Sequence, residues 1–331
     1  MNMKKSLAII IVITAVAVSG CLDDSTDHES TTSRDYRQDM RDFVKGITVY
    51  AKGINPDFII IPQNGHELLT DNGEPDGLQA TEYIDAIDGA GQEDLFYGYY
   101  DDNVATPQSE RSYLIALMDI AESNSVEVLV TDYCWDHDKM DDSYEQNAAR
   151  GYISFAADHR ELDNLPSYPN TPYDVNAASI DSLAEAKNFL YLVNPGAYHT
   201  KTAFLEAIGS TDYDIVLIDA FYLDTILRAD DVTALKTKAN SGNRLVIAYM
   251  SIGEAENYRY YWQTEWETNP PSWLAEENPY WPGNYKVRYW DAAWQNIIYG
   301  NNYAYLKKIL DVGFDGIYLD IIDAFEYFEG H

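Results

Sequence analysis

Basic residues and cysteines are both scarce in this chain of 331 residues. It has 22 Lys and Arg against 55 Asp and Glu, which gives a formal net charge of −33. Nucleic-acid binding needs clustered Lys and Arg, so the composition argues against a nucleic-acid partner. The only two cysteines are Cys21 and Cys134. If Cys21 carries a lipid, Cys134 has no partner, and the chain has neither a disulfide nor a Cys-based zinc site.

Common cofactor and nucleophile motifs are also missing. The sequence contains no G-x-G-x-x-G or P-loop, no H-E-x-x-H and no G-x-S-x-G elbow. We therefore expect no cofactor and no metal. The run Asp136-His137-Asp138 is a possible ion site, although a solvated acidic loop is the simpler interpretation. The chain is, however, 46% hydrophobic, enough for a large core, and it has 28 Tyr and 7 Trp, which suit a carbohydrate cleft as well as an ordinary core.

The first 20 residues have the pattern of a secretory signal peptide. Two lysines precede an apolar run over 7–18 that is short for a bilayer span, and Val18-Ser19-Gly20-Cys21 resembles a lipobox. We expect cleavage before Cys21 and lipidation of Cys21. The protein would then lie on the extracellular face of the cell membrane, attached only through its lipid; an uncleaved anchor is the alternative. Residues 21–35 are mostly polar and predict a flexible tether.

Short apolar runs and amphipathic stretches recur from residue 36 to the end. The runs predict strands buried on both faces, as in parallel sheets: Phe58–Ile61, Ile84–Ile87, Val126–Val130, Tyr152–Phe155, Phe189–Val193, Ile215–Ile218, Leu245–Tyr249 and Gly316–Leu319. The amphipathic stretches predict helices: Asp35–Gly53, Ser109–Glu122, Thr202–Ile208, Asp230–Ala239 and Tyr303–Val312. Eight strands with helical connections indicate an α/β fold, a (β/α)8 TIM-type barrel forming one domain over 36–331. A doubly wound open sheet is the competing architecture.

Acidic residues follow several of these strands. In a parallel barrel the carboxyl ends of all strands share one face, where active sites lie. We therefore expect a group of carboxylates to converge there: Asp132, Asp219, Glu254 and Asp320, with Glu93 on the loop after the second strand. Two carboxylates on either side of a sugar ring suffice for glycoside hydrolysis. The aromatic segment Tyr258–Trp294 should overhang the same face, either as a platform for sugars or as a loop packed on its own side chains.

Several stretches resemble the endo-α-1,4-polygalactosaminidases of glycoside hydrolase family 114 and their archaeal and bacterial relatives. They are Phe58–Leu69 (FIIIPQNGHELL), Asp85–Gly98 (DAIDGAGQEDLFYG), Asp214–Phe221 (DIVLIDAF), Leu245–Glu256 (LVIAYMSIGEAE), Trp281–Trp290 (WPGNYKVRYW) and Gly313–Phe325 (GFDGIYLDIIDAF).

The order of these stretches is reversed relative to the family. In the relatives, the block with SIGEAE and YLDIIDA precedes the block with PQNG, QED and VTDY. A circular permutation accounts for this, with residues 157–187 joining the former termini; an artefact of gene assembly is the alternative. If the permutation is real, the last strand, Gly316–Asp320, should pair with the first, Phe58–Ile61.

The resemblance also implies roles for individual residues. The family's nucleophile maps onto Asp320 and its acid/base glutamate onto Glu93, whose pKa burial and neighbouring carboxylates should raise. Substrate-binding positions are Asp219, Glu254, Asp132, Tyr133 and Asn64. The family motif has Asn where this chain has Ile321, so the contacts to the sugar differ there.

The resemblance implies a glycosidase that cleaves an α-1,4-galactosamine-type polysaccharide. Together with the lipobox, it predicts a lipid-anchored extracellular enzyme. Free amines make such a polymer cationic, which would suit the acidic chain. Adaptation of the whole surface to salt is the competing explanation for the charge. A tethered protein that binds polysaccharide without cleaving it remains the alternative function.

Overall fold

The computed structural model describes residues 34–330. The predicted signal peptide, the lipidation site at Cys21 and nearly all of the predicted tether lie outside this range. Asp35, assigned to the tether, instead caps the first helix, because its side chain accepts a hydrogen bond from the backbone N–H of Gln38 at 2.9 Å. No helix between residues 34 and 330 has the length and apolarity needed to span a bilayer.

Eight parallel strands form the centre of the fold. They are β1 (Ile59–Pro62), β2 (Gly89–Glu93), β3 (Glu127–Tyr133), β4 (Ile153–Ala157), β5 (Phe189–Leu192), β6 (Ile215–Asp219), β7 (Leu245–Ser251) and β8 (Gly316–Asp320). Most of their side chains are buried on both faces, which explains why they appear in the sequence as unbroken apolar runs.

The strands form two parallel sheets that meet at both edges. One has the order β1-β8-β7-β6-β5 and the other β2-β3-β4. A single bridge between Gln63 and Gly91 joins the sheets beyond the end of β1, and another between Ser154 and Asn188 joins β4 to the start of β5. β8 pairs in parallel with β1, from Ile59 opposite Gly316 to Pro62 opposite Leu319. The predicted pairing of the last strand with the first is therefore confirmed.

Helices connect most of the strands. They are α1 (Tyr36–Ile54), α2 (Thr81–Ile84), α3 (Gln108–Ser123), α4 (His137–Ala148), α5 (Lys201–Gly209), α6 (Ala229–Leu235), α7 (Ala292–Ile298), α8 (Tyr305–Val312) and α9 (Ala324–Glu329). In α1 the buried residues Met40, Phe43, Val44, Ile47 and Ala51 recur at helical spacing and face the core. The architecture is thus α/β, as predicted.

One predicted strand is wrong. Residues 84–87 hold the end of α2 and the turn after it, and β2 begins only at Gly89. The true strand has the sequence GAGQE, which lacks the β-branched residues typical of strands. Packing explains the glycines: a Cβ at Gly91 would lie 2.0 Å from the hydroxyl of Tyr318 on β8.

Between β7 and β8 the chain forms a small antiparallel sheet. Its strands are Glu254–Glu256, Leu274–Glu277 and Asn284–Val287, with the last in the middle. A two-stranded ribbon, Phe221–Tyr222 with Thr225–Ile226, follows β6. Both additions come after the carboxyl end of a central strand, and both contribute residues to the same cavity.

Candidate active site

A cavity of about 1150 Å³ lies at the carboxyl ends of the parallel strands. Its lining includes residues from the ends of six of the eight strands, or directly after them, together with the antiparallel sheet. Six of the seven residues predicted for catalysis or substrate binding line it: Asn64, Glu93, Tyr133, Asp219, Glu254 and Asp320. The fold thus brings Glu93 and Asp320 to one cavity, although 227 positions separate them in the chain.

Glu93, the last residue of β2, is held by hydrogen-bond donors on both carboxylate oxygens. The side-chain amide of Gln63 and that of Asn64, at 3.1 Å, donate to Oε2, and the hydroxyl of Tyr133 donates to Oε1. The Asn64 side chain also accepts from the backbone N–H of Glu93 at 3.1 Å. Burial keeps the pKa of Tyr133 well above its usual value, so its hydroxyl keeps the proton that it donates. These contacts fix the orientation of the Glu93 carboxyl group.

Asp320, the last residue of β8, is the other carboxyl group of the expected pair. The hydroxyl of Tyr249 donates to its Oδ2 at 2.6 Å, and the backbone N–H of Ile321 lies 2.9 Å from its Oδ1. Burial, and after it the charge of Glu93, raise the pKa of Asp320 to about 8. The raised pKa therefore belongs to the residue that the sequence predicts as nucleophile.

Asp219 is bound by Arg259, for which the sequence predicted no role. One guanidinium nitrogen of Arg259 contacts both Asp219 oxygens, at 2.9 and 2.7 Å, while its Nε contacts Glu256 at 2.5 Å. Burial raises the pKa of Asp219 to about 6 despite the opposing charge of Arg259. Asp219 thus lies at the cavity with its charge already paired, which makes it as much an anchor for Arg259 as a contact for a ligand.

Glu254 is also at the cavity, and the antiparallel sheet and its turns cover it. Its Oε1 accepts from Asn278 at 2.8 Å and lies 3.4 Å from the ammonium nitrogen of Lys286. The side chain is 1% exposed. Glu254 thus borders the cavity with one oxygen engaged by Asn278 and Lys286.

Asp132 does not line the cavity, contrary to its predicted role in substrate binding. Its side chain is fully buried beneath the loop that follows β2. It accepts from the backbone N–H groups of Phe96 and Tyr97, at 2.8 and 3.1 Å, and from Ser143 and Asn147. With four donors on one carboxylate, Asp132 braces the loop next to Glu93.

Two further acidic residues enter the cavity from the end of the chain. Burial raises the pKa values of Asp323 and Glu326 to about 7 each, with neighbouring carboxylates adding to the effect. The sequence signal for Asp323 was its place in the YLDIIDA stretch. Of the residues that line the cavity, ten are Asp or Glu and three are Arg or Lys. That excess accounts for only part of the net charge of −33, so most of the acidity lies elsewhere.

The aromatic segment Tyr258–Trp294 divides into a packed part and an exposed part. Trp273 and Trp294 are buried with ring centroids 5.0 Å apart. By contrast, Tyr280 and Trp281 line the cavity with 44% and 48% of their surface exposed. The interpretation as a packed loop therefore holds for the buried rings, while the two exposed rings lie where a platform for sugars would need them.

The described residues offer no clear site for a metal ion. Within 34–330 no group of three or more His, Cys, Asp and Glu side chains is arranged to hold one. In the acidic run considered above, His137 stacks on Tyr168 with centroids 3.9 Å apart.

Comparison with known proteins agrees with this geometry. The model of glycoside-hydrolase family GH114 matches residues 171–331, which include Asp219, Glu254 and Asp320. Residues 171–331, just under half of the chain, are therefore similar to family GH114.

Three relatives match over 125 to 177 residues. An uncharacterized protein of Methanocaldococcus jannaschii is 37% identical over 53% of this chain and 49% of its own length. Uncharacterized proteins of Thermotoga maritima and Deinococcus radiodurans are 41% and 42% identical, over 39% and 37% of each chain respectively. The chain thus spans half or less of the length of the curated relatives it matches. Glu93 lies outside the region matched by the GH114 model, so its place in the site rests on its contacts.

Proposed function

We propose that this protein is a glycosidase that cleaves an α-1,4-galactosamine-type polysaccharide with Glu93 and Asp320. The observation that carries the proposal is that these two carboxyl groups line one open cavity and interact electrostatically. The match of residues 171–331 to the GH114 model supports glycoside hydrolysis as the reaction class. Two carboxyl groups beside a sugar-sized cavity are the machinery that this reaction needs.

In the proposed mechanism the glycosidic bond breaks in two steps. The Asp320 carboxylate attacks the anomeric carbon while Glu93 gives its proton to the departing oxygen. Water then attacks the same carbon, returns a proton to Glu93 and releases Asp320. Gln63, Asn64 and Tyr133 hold Glu93 in place, and Tyr249 holds Asp320.

This mechanism requires the proton of the pair to reside on Glu93 at the moment of attack. In the free protein a pKa of about 8 leaves Asp320 protonated at neutral pH. A cationic sugar amine near Asp320 would favour its ionised form and so move the proton toward the productive arrangement. The exchanged assignment, with Asp320 as the acid, is the competing outcome. A substrate with a good leaving group separates the two, because it restores bond cleavage only to the variant that lacks the acid.

The cavity lining is consistent with an amino-sugar polymer as substrate. Acidic residues outnumber basic ones there by ten to three, which favours cationic ligands. Tyr258, Tyr280 and Trp281 supply exposed rings at the cavity. Because most of the net charge lies elsewhere, we attribute the general acidity to adaptation to salt and only the excess at the cavity to the substrate.

We also propose that the two sheets close into one (β/α)8 barrel that is circularly permuted relative to the family. Support comes from the bridges at both sheet junctions and from the pairing of β1 with β8. A chain redesigned to begin at residue 188, with its present residues 34–187 placed after residue 330, should fold and keep the same activity. Failure of this chain to fold would argue against the permutation.

For its location, we propose attachment to the extracellular face of the membrane through lipid on Cys21. Cys21→Ala should release the protein into the medium or leave it unprocessed, and mass spectrometry of the mature N-terminus should find a diacylglyceryl group on wild type. A mature protein that still carries residues 1–20 would support the uncleaved anchor instead.

The experiment that tests the function incubates the purified protein with α-1,4-galactosamine polymers, fully acetylated and de-N-acetylated, and separates the products by size. We expect oligosaccharides, released faster from the de-N-acetylated polymer. Retention of polymer on immobilised protein without any shortening would instead support the tethered binding protein.

A further inference from the structure

Arg160 lines the cavity, and the proposed mechanism gives it no role. It follows β4, at the start of the segment 157–187 that the sequence suggested was only a junction. Its Nη2 lies 2.6 Å from Oδ1 of Asp94 and donates to the carbonyl of Gly98, also at 2.6 Å. Its Nε contacts Asp102 at 2.5 Å. One side chain thus ties the segment after β4 to the loop after β2.

These contacts surround Glu93. The guanidinium carbon of Arg160 lies 4.2 Å from the ring centroid of Tyr133, and the hydroxyl of Tyr133 donates to Glu93 Oε1. Stacking on a flat cation restricts how the Tyr133 ring can rotate. Arg160 therefore helps to hold the Tyr133 hydroxyl in position to donate to Glu93.

The backbone next to Glu93 depends on the same side chain. Asp94 has a left-handed backbone with φ of 61°, a conformation that Asp adopts more readily than most residues and that contacts with neighbours stabilise further. Thr106 donates to the Asp94 carbonyl at 2.6 Å, and Arg160 pairs with its side chain. Arg160 thereby helps to hold the turn that directs Glu93 toward the cavity.

The other two basic residues of the cavity lining are engaged elsewhere. Arg259 binds Asp219 and Glu256, and Lys286 lies against Glu254. Of the basic residues lining the cavity, only Arg160 contacts the surroundings of Glu93.

We propose that Arg160 is a positioning residue that fixes the Glu93 carboxyl group for proton transfer, acting through Tyr133 and Asp94. The inference rests on the proposed function, because it assigns Arg160 to the orientation of the acid/base group. It also gives the segment 157–187 a part in the active site beyond connecting two strands.

The test compares Arg160→Met, Arg160→Lys and the control Arg150→Met on the de-N-acetylated polymer. Arg150 lies just after α4, and its carboxylate partner Asp119 is 3.9 Å away. Arg160→Met should lower kcat about 100-fold, as small misplacements of catalytic groups do, with KM within about threefold. Arg160→Lys should recover about tenfold of that loss, because Lys can pair with Asp94 but cannot stack as a plane. Arg150→Met should match wild type.

A wild-type kcat in folded Arg160→Met would overturn the inference. A loss confined to KM or to the thermal midpoint would overturn it too, since either would indicate a structural role alone. A second measurement does not need activity: unfolding free energies of Arg160→Met, Glu93→Gln and the double variant should be non-additive. Additivity would contradict coupling between the two residues. If wild type cleaves no polymer, the proposed function fails, while this cycle still decides whether Arg160 and Glu93 are coupled.

Discussion

Replacing Asp320 by Asn should inactivate the protein and at the same time stabilise it at high pH. Burial and Glu93 raise the pKa of Asp320 from 3.8 to about 8. At about 1.4 kcal/mol per pH unit this rise corresponds to about 6 kcal/mol of destabilisation once the group is ionised. Asp320 is, however, partly exposed, and solvent and local relaxation reduce the effect, so we expect about 2 kcal/mol.

The sign follows from proton binding. Between pH 3.8 and about 8 the folded protein holds a proton on Asp320 that the unfolded chain has released. Stability therefore falls as pH rises through this window. Asp320→Asn cannot ionise, so its stability relative to wild type should increase from pH 5 to pH 9.

Urea unfolding of both proteins at the two pH values measures this difference. Asp311→Asn, at an exposed position on α8 whose side chain is 59% accessible, serves as the control and should leave the pH dependence unchanged. A difference between Asp320→Asn and wild type that stays constant with pH, or that shrinks toward pH 9, would refute the reasoning.

Four further outcomes follow from the site. Tyr133→Phe removes a donor to Glu93 and should lower kcat about 10-fold in steady-state assays with little change in KM; an unchanged kcat would count against the contact. Trp281→Ala removes an exposed ring at the cavity and should raise KM about 10-fold; an unchanged KM would exclude Trp281 from binding. Ile321→Asn removes a β-branched residue from a backbone with φ of 60° and should raise the free energy of unfolding by about 1 kcal/mol. A lower urea midpoint would contradict this and show that the packing of Ile321 contributes more than its strain. The pH profile of kcat/KM should fall above about pH 8, because the proton that must reach the departing oxygen is then lost; a rate that still rises at pH 9 would contradict the two-carboxyl mechanism.

Most of the strand pattern could be predicted because the strands are buried on both faces. Unbroken apolar runs such as Ile215–Asp219 leave little alternative to a central strand. The failure at β2 has the opposite cause. Gly91 is required by the close approach of Tyr318 from a strand more than 200 positions away, and no local pattern reports such a contact.

The candidate site was predictable where a carboxyl group ends a strand, as for Glu93 and Asp320. Strand position alone could not distinguish these groups from Asp132, which also lies near a strand end but is saturated by loop donors. Arg160 and Arg259 were missed because their roles depend on partners distant in sequence. The composition offers one indication of them. Because the chain has 22 basic residues against 55 acidic ones, an arginine that follows a predicted strand is a candidate partner for the carboxyl groups there.

The most direct test of the central claim is to compare wild type, Asp320→Asn and Glu93→Gln for cleavage of the de-N-acetylated α-1,4-galactosamine polymer. All three proteins should be shown to be folded by circular dichroism. We predict new reducing ends with wild type and a loss of at least about 1000-fold in each variant. Cleavage at the wild-type rate by both folded variants would contradict the account.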